Sequence, residues 1–211
     1  MSKFTFLLLF TAATIARAAT AAELQGSPAD HLPLHITQVT WFGERADWSH
    51  DGKKILFLSK TFGDAMELDV QTRRIRNLTA HYPHSGYTRA LYLKNGDVLL
   101  SGPESFDPRR PHEARVQCWL YVLDKSFAKP AAPLGSKCSE GPAVSRSRMH
   151  IAWTHVAEEY PGEMPAGSSR MQEADIIYEE GRPKLAHQQL IIDSRDLPFK
   201  CTMENSELPS S

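Results

Sequence analysis

Glu44-Arg45, Thr88-Arg89 and Glu140-Gly141 each stand four residues ahead of a residue at an equivalent place, Trp48, Tyr92 and Val144. Carboxylates and guanidinium groups gathered on one rim can hold a polar ligand, a metal or a peptide terminus, because both kinds of group make charge-assisted hydrogen bonds. The same residues can instead cross-link neighbouring structural units, and the sequence leaves both readings open. His81 and His84 occupy the stretch leading to Arg89, and HSGYTR (His84 to Arg89) brings a histidine and an arginine close together. Two imidazoles at that spacing can bind a metal, or can be ordinary surface histidines. The candidate ligand-binding residues are therefore Glu44, Arg45, His84, Arg89 and Glu140. No G-x-S-x-G elbow, H-E-x-x-H pair, phosphate loop or dinucleotide glycine pattern occurs, so no catalytic residue is assigned.

The elements that must position these residues are short hairpins. In ADWSHDGKKILFLS (Ala46 to Ser59) an Asp51-Gly52 turn, where glycine accepts positive φ, joins a strand through Trp48 to one through Ile55 and Phe57. RALYLKNGDVLLSG (Arg89 to Gly102) repeats the plan around Asn95-Gly96, and GPAVSRSRMHIAWTH repeats it more weakly, ending in Ile151-Ala152-Trp153. Ile55, Val98 and Ile151 are spaced by about 43 and 53 residues, near the repeat length of four-stranded propeller blades. The other half of each blade follows: AMELDV (65–70) and RIRNLT (74–79), then VQCWLYVLD (116–124), then EADIIYEE (173–180) and KLAHQQLIID (184–193). Ser101 to Arg115, charged and proline-bearing without an apolar period, reads as a surface loop. ITQVT (36–40) aligns with IRNLT (75–79), which predicts the outermost strand of a blade whose other strands lie elsewhere.

WSHDGKKILFLS, a short acidic strand and RNLT resemble the blade motif of TolB-like propeller proteins, usually W-S-P-D-G-K-x-I-A-F ending in L-T. His50 replaces the proline. The resemblance covers roughly residues 36–193 and implies an all-β fold, a partial β-propeller of four-stranded antiparallel blades from a six-bladed parent. It also implies the functional range: exported scaffolds, oligogalacturonate lyases, and the non-catalytic propellers of prolyl-oligopeptidase-like serine peptidases. The expected function is a non-enzymatic binding or scaffold module for a protein or a small polar or carbohydrate ligand, with no cofactor. A fragment of a propeller enzyme is the alternative. In the lyase case His84 and Arg89 would serve a divalent metal and a uronate carboxylate, and in the peptidase case a hydrolase domain would follow Asp193.

A closed propeller takes about four to eight blades, and three are visible. The expectation is a shortened product of a longer gene, with missing blades or self-association needed to close the ring and poor solubility from exposed strand edges. Domain boundaries follow: a signal peptide over 1–18, a linker over 19–35, the partial propeller with its closing strand over 36–193, and an irregular tail over 194–211. Lys3, the apolar run Phe4 to Ala16 and Ala16-Arg17-Ala18 fit a cleaved export signal too short to span a membrane, with cleavage near Ala18 and a secreted or periplasmic mature chain. The 24 basic and 25 acidic residues leave a formal charge of -1, giving no electrostatic reason to bind nucleic acid or an anionic membrane surface. Export permits disulfides, and Cys118 with Cys138 is the candidate pair, leaving Cys201 odd. Asn77-Leu78-Thr79 is an N-glycosylation acceptor motif, although L-T also belongs to the blade pattern.

Overall fold

The computed structural model describes residues 26–139 and 141–198. The chain divides into two compact units, Met1–Gln38 and Val39–Ser211. In the first, a 3-10 turn at Pro28–His31 is closed by a reciprocal cap, Ser27 accepting from the Ala29 amide and Asp30 from the Ser27 amide. The segment expected to be a signal peptide, 1–18, and most of the expected tail, 194–211, lie outside the described residues.

The second unit is built from three four-stranded sheets, each antiparallel and each meandering in chain order. Blade 1 holds β1 (Glu44–Trp48), β2 (Lys54–Leu58), β3 (Ala65–Asp69) and β4 (Ile75–Asn77). Blade 2 holds β5 (Arg89–Tyr92), β6 (Val98–Pro103), β7 (Cys118–Leu123) and β8 (Ala132–Lys137). Blade 3 holds β9 (Ala143–Val144), β10 (His150–Val156), β11 (Ser169–Glu179) and β12 (Arg182–Asp193). The fold is all-β, a partial propeller, with one short helix, α1 (Pro111–Val116), among the described residues.

The second strands are apolar on both faces because both faces are covered. In β2, Leu56 and Leu58 turn towards blade 2 and pack with Tyr87, Ala90, Tyr92, Val98 and Leu100, whereas Ile55 and Phe57 pack on the other face with Leu68, Val39 and Met66. The next layer joins Leu93, Leu99, Leu120 and Val122 of blade 2 to Ile151, Trp153, Ala174 and Ile176 of blade 3. Blade 3 in turn exposes Met171, Ile177 and Leu190 to Ile192. The sheet modules thus cover one another's apolar sides, which is what packs a propeller.

Three local expectations need correction. Ser101 to Arg115 is not one surface loop: Ser101, Gly102 and Pro103 continue β6, buried and paired with Leu120, Trp119 and Cys118, and Pro111 onwards forms α1. Proline is tolerated at both places, ending a strand in one and opening a helix in the other. Strand β7 accordingly begins at Cys118, Val116 belonging to α1. Residues 36–40, aligned with β4, form no strand, and none of the three sheets takes them in. A fourth blade-2 strand that the sequence reading did not place, β8, contains Pro133 and Gly135 and lies at the sheet edge, where a missing N–H is tolerated.

Candidate functional site

The first strand of each blade starts at the end of the sheets where the second strand finishes, so Glu44, Arg45, Thr88, Arg89 and Gly141 share one end. Glu140 lies outside the described residues. Longer connections also gather here, at 59–64, 78–88, 104–117 and 157–168.

A β-bulge shapes the first position. Between Glu44↔Leu58 and Asp47↔Leu56 the register shifts by one residue, and Arg45 sits in the bulge with φ 56. An extra residue in the left-handed region re-aims its side chain. Arg45 Nη1 donates to the Thr88 carbonyl at 2.7 Å, crossing from blade 1 to blade 2. Arg89 Nη1 donates to the same carbonyl at 3.0 Å. The equivalent position in blade 3 is Gly141, where a Cβ would stand 2.4 Å from Arg89 Nε, so glycine leaves room for the blade-2 arginine. The carboxylate of Glu44 accepts from the Thr61 hydroxyl and lies 3.7 Å from Arg45 Nη1. Of the two readings the sequence left open, the structure shows the cross-link for Arg45, and Glu44 is the partly exposed carboxylate beside it.

His84 is held from both sides. The Gly86 amide donates to Nδ1 at 2.9 Å, so Nε2 carries hydrogen and donates to Asp64 Oδ1 at 3.1 Å. The imidazole stacks on Tyr87 with centroids 4.8 Å apart. Both nitrogens are engaged within the chain, which removes the lone pair a metal would need. His81 is exposed and meets the Tyr82 ring edge-on, with centroids 4.8 Å apart. Among the described residues no group of three or more His, Cys, Asp or Glu side chains is arranged to hold a metal ion.

Cys118 and Cys138 are both buried thiols. They lie opposite each other where β7 begins and β8 has ended, the Cys138 amide donating to the Cys118 carbonyl at 2.9 Å. Burial pushes the Cys118 thiol up to about 11. Asn77 is exposed, and its side-chain oxygen accepts from the amides of Thr79 and Ala80, both at 2.9 Å, which gives the residue a local turn-forming reason to be there.

Sequence reasoning missed two constellations. The first is Asp47, whose Oδ2 accepts from the Tyr92 amide at 2.8 Å and whose Oδ1 accepts from Arg146 Nη2 at 2.6 Å; Arg146 Nη1 also donates to the Trp48 carbonyl at 2.7 Å. One carboxylate therefore ties three blades together. Its only sequence signal is its place just before Trp48 in the repeated unit. The second is a polar cluster between blades 2 and 3, where Trp153 Nε1 donates to His155 Nε2 at 2.8 Å and Ser136 Oγ lies 3.0 Å from that nitrogen. Burial, helped by Arg170, pushes His155 down to about 4. Nearby Glu159 is buried, and its oxygens accept from the amides of Ser139 and Val156, so it anchors the 157–168 connection. The contacts that join different blades in these clusters link residues 19 to 99 positions apart, and no local motif announces them.

No family profile and no curated protein sequence matches the chain. Among solved structures, the chain is similar to a putative TolB from Agrobacterium tumefaciens, with a TM-score of 0.51 and 15% identity over 74% of this chain and 51% of that one. It is also similar to TolB from Acinetobacter baumannii, with a TM-score of 0.45 and 20% identity over 63% of this chain and 29% of that one. A third likeness is to a puromycin-hydrolyzing peptidase from Mycobacterium tuberculosis, with a TM-score of 0.45 and 17% identity over 74% of this chain and 23% of that one. The chain has a TolB-like β-propeller fold. It spans about half the length of the Agrobacterium protein and less than a third of the Acinetobacter one.

Proposed function

We propose that this chain is an exported propeller module that binds a partner instead of converting a substrate, with the partner held at the end where Glu44, Arg45, His84 and Arg89 fall. The observation that supports it most is the asymmetry of the connections. At that end they include 78–88, 104–117 and 157–168 together with α1, whereas at the other end β1–β2, β3–β4, β5–β6, β9–β10 and β11–β12 are joined by short turns and the longest connection is 124–131. Loops displayed on a rigid scaffold are the usual carriers of binding. Arg45 and Arg89 contribute by fixing the rim, and Glu44 and the α1 connection offer polar groups to a partner. Export follows from the amino-terminal sequence; among the described residues no helix is long and apolar enough to cross a membrane.

A photo-crosslinking residue at Arg109, beside α1, compared with one at Gln71, in the turn at the far end, tests the reading in the native compartment. Discrete adducts from position 109 and none from 71 are expected. Adducts from 71 alone would remove the loop-bearing end as the binding face. Incubating the purified chain with oligogalacturonate and a divalent metal tests the other half, since turnover that disappears in Arg89→Ala would make it an enzyme.

A further inference from the structure

Between the 78–88 connection and blade 2 lies a cleft of about 390 Å³ whose walls are aromatic and carry one carboxylate, Glu104. Tyr82, His84 and Tyr87 follow one another with ring centroids 5.4 and 4.8 Å apart, and Tyr121 stands edge-on to Tyr87 at 6.4 Å. The assembly is rigid. The Tyr82 and Tyr87 hydroxyls are 2.9 Å apart, His84 is fixed by Asp64 and Gly86, and the Tyr87 backbone is pinned to the 59–64 connection of blade 1, its carbonyl accepting from the Phe62 amide and its amide donating to the Gly63 carbonyl, both at 2.9 Å. Glu104, exposed, forms the rim, and Ser85 Oγ holds its carbonyl at 2.8 Å. The carboxylates of Glu104 and Asp64 both act on these phenols: burial raises Tyr121 with help from Glu104, and raises Tyr82 and Tyr87 with a smaller push from Asp64. The lining includes no Lys or Arg.

Electron-rich ring faces beside a carboxylate, with no basic residue to neutralise them, attract a cation. A guanidinium suits the shape better than an ammonium, because it is planar, stacks on an aromatic ring and can still donate to a carboxylate. We propose that this cleft is a binding site for the guanidinium of an arginine residue in an extended segment of a partner protein, stacked on the partly exposed Tyr121 and paired with Glu104. The proposal rests on the binding-module reading and narrows it to one kind of partner group.

The test titrates the full mature chain with Ac-Gly-Arg-Gly-NH2, and with the same peptide carrying neutral, isosteric citrulline, following the backbone amide resonances of Gly86 and Glu104. Saturable shifts with the arginine peptide are expected, with citrulline binding weaker by roughly five- to tenfold and with affinity falling as salt is raised. Glu104→Gln, a change at an exposed position, is expected to abolish the preference for arginine over citrulline, and Tyr121→Leu to weaken both peptides. Equal binding of the two peptides, an unchanged preference in Glu104→Gln, or no saturable shift overturns the proposal. Shifts produced by maltotriose but not by the arginine peptide overturn it in favour of a carbohydrate. The binding-module reading fails separately, through the crosslinking result, whatever these peptides do.

Discussion

Asp47→Ala should destabilise the propeller far more than removal of the arginine with which it pairs. The Asp47 carboxylate is nearly buried, and the amide it accepts from belongs to Tyr92, itself 4% exposed. Removing the acceptor orphans that amide, at a cost of about 1–3 kcal/mol. Loss of the Arg146 contact adds less, because that guanidinium side chain is 50% exposed and an exposed pair contributes about 0.2–1 kcal/mol. The expected total is about 1–4 kcal/mol for Asp47→Ala and below about 1 kcal/mol for Arg146→Ala. Urea unfolding followed by tryptophan fluorescence measures both, with the double variant closing the cycle. Asp47→Asn should fall between, since an amide oxygen can still accept from Tyr92 but the amide nitrogen cannot pair with a guanidinium. If Asp47→Ala lay within about 0.5 kcal/mol of the parent, or if Arg146→Ala cost as much, the three-blade tie would be wrong.

Gly86→Ala should cost about 2–4 kcal/mol, because φ there is 85 and a Cβ would meet the Phe62 carbonyl oxygen at 2.0 Å; Gly52→Ala, at φ 68 with open space around it, should cost only about 1–2 kcal/mol, and equal melting-temperature losses would refute the clash. His155 stays neutral in the folded chain down to about 4, whereas the unfolded chain takes up that proton near the ordinary histidine value, so His155 makes stability fall between pH 6.5 and 4 and level off below. Replacing it in His155→Gln should flatten the urea-midpoint profile over that window, and an unchanged slope would show that other groups carry it. Cys118 and Cys138 are expected to be joined in chain recovered from an oxidising compartment, lowering the intact mass by two hydrogens, and both alkylating under denaturing conditions without reductant would rule the pair out.

The hairpins were legible because each is local. Asp51-Gly52 and Asn95-Gly96 sit between apolar runs, and their spacing repeats. The reading of β2 was half complete: Ile55 and Phe57 stood out as one face, but Leu56 and Leu58 in the opposite phase are equally buried, because blade 2 covers them. Strand β8 escaped because Pro133 and Gly135 mimic a loop, and β6 was cut short at Ser101 because a serine, a glycine and a proline hide its last three pairs with β7. The equivalence of Arg45, Arg89 and Gly141 could be aligned from the repeats. That the first grips Thr88 and the second lies over the third could not.

Sequence by itself determined the repeated module, the order of its strands and the positions that fall on one end, since turn chemistry and apolar periodicity act over a few residues. Tertiary structure alone decided what those positions do. The bulge at Arg45 sends a guanidinium across a blade boundary, Asp64 and Gly86 occupy both nitrogens of His84, and Asp47 gathers groups from three blades. Such contacts depend on how neighbouring sheets are stacked, a relation between residues as many as 99 positions apart that no short stretch of chain encodes.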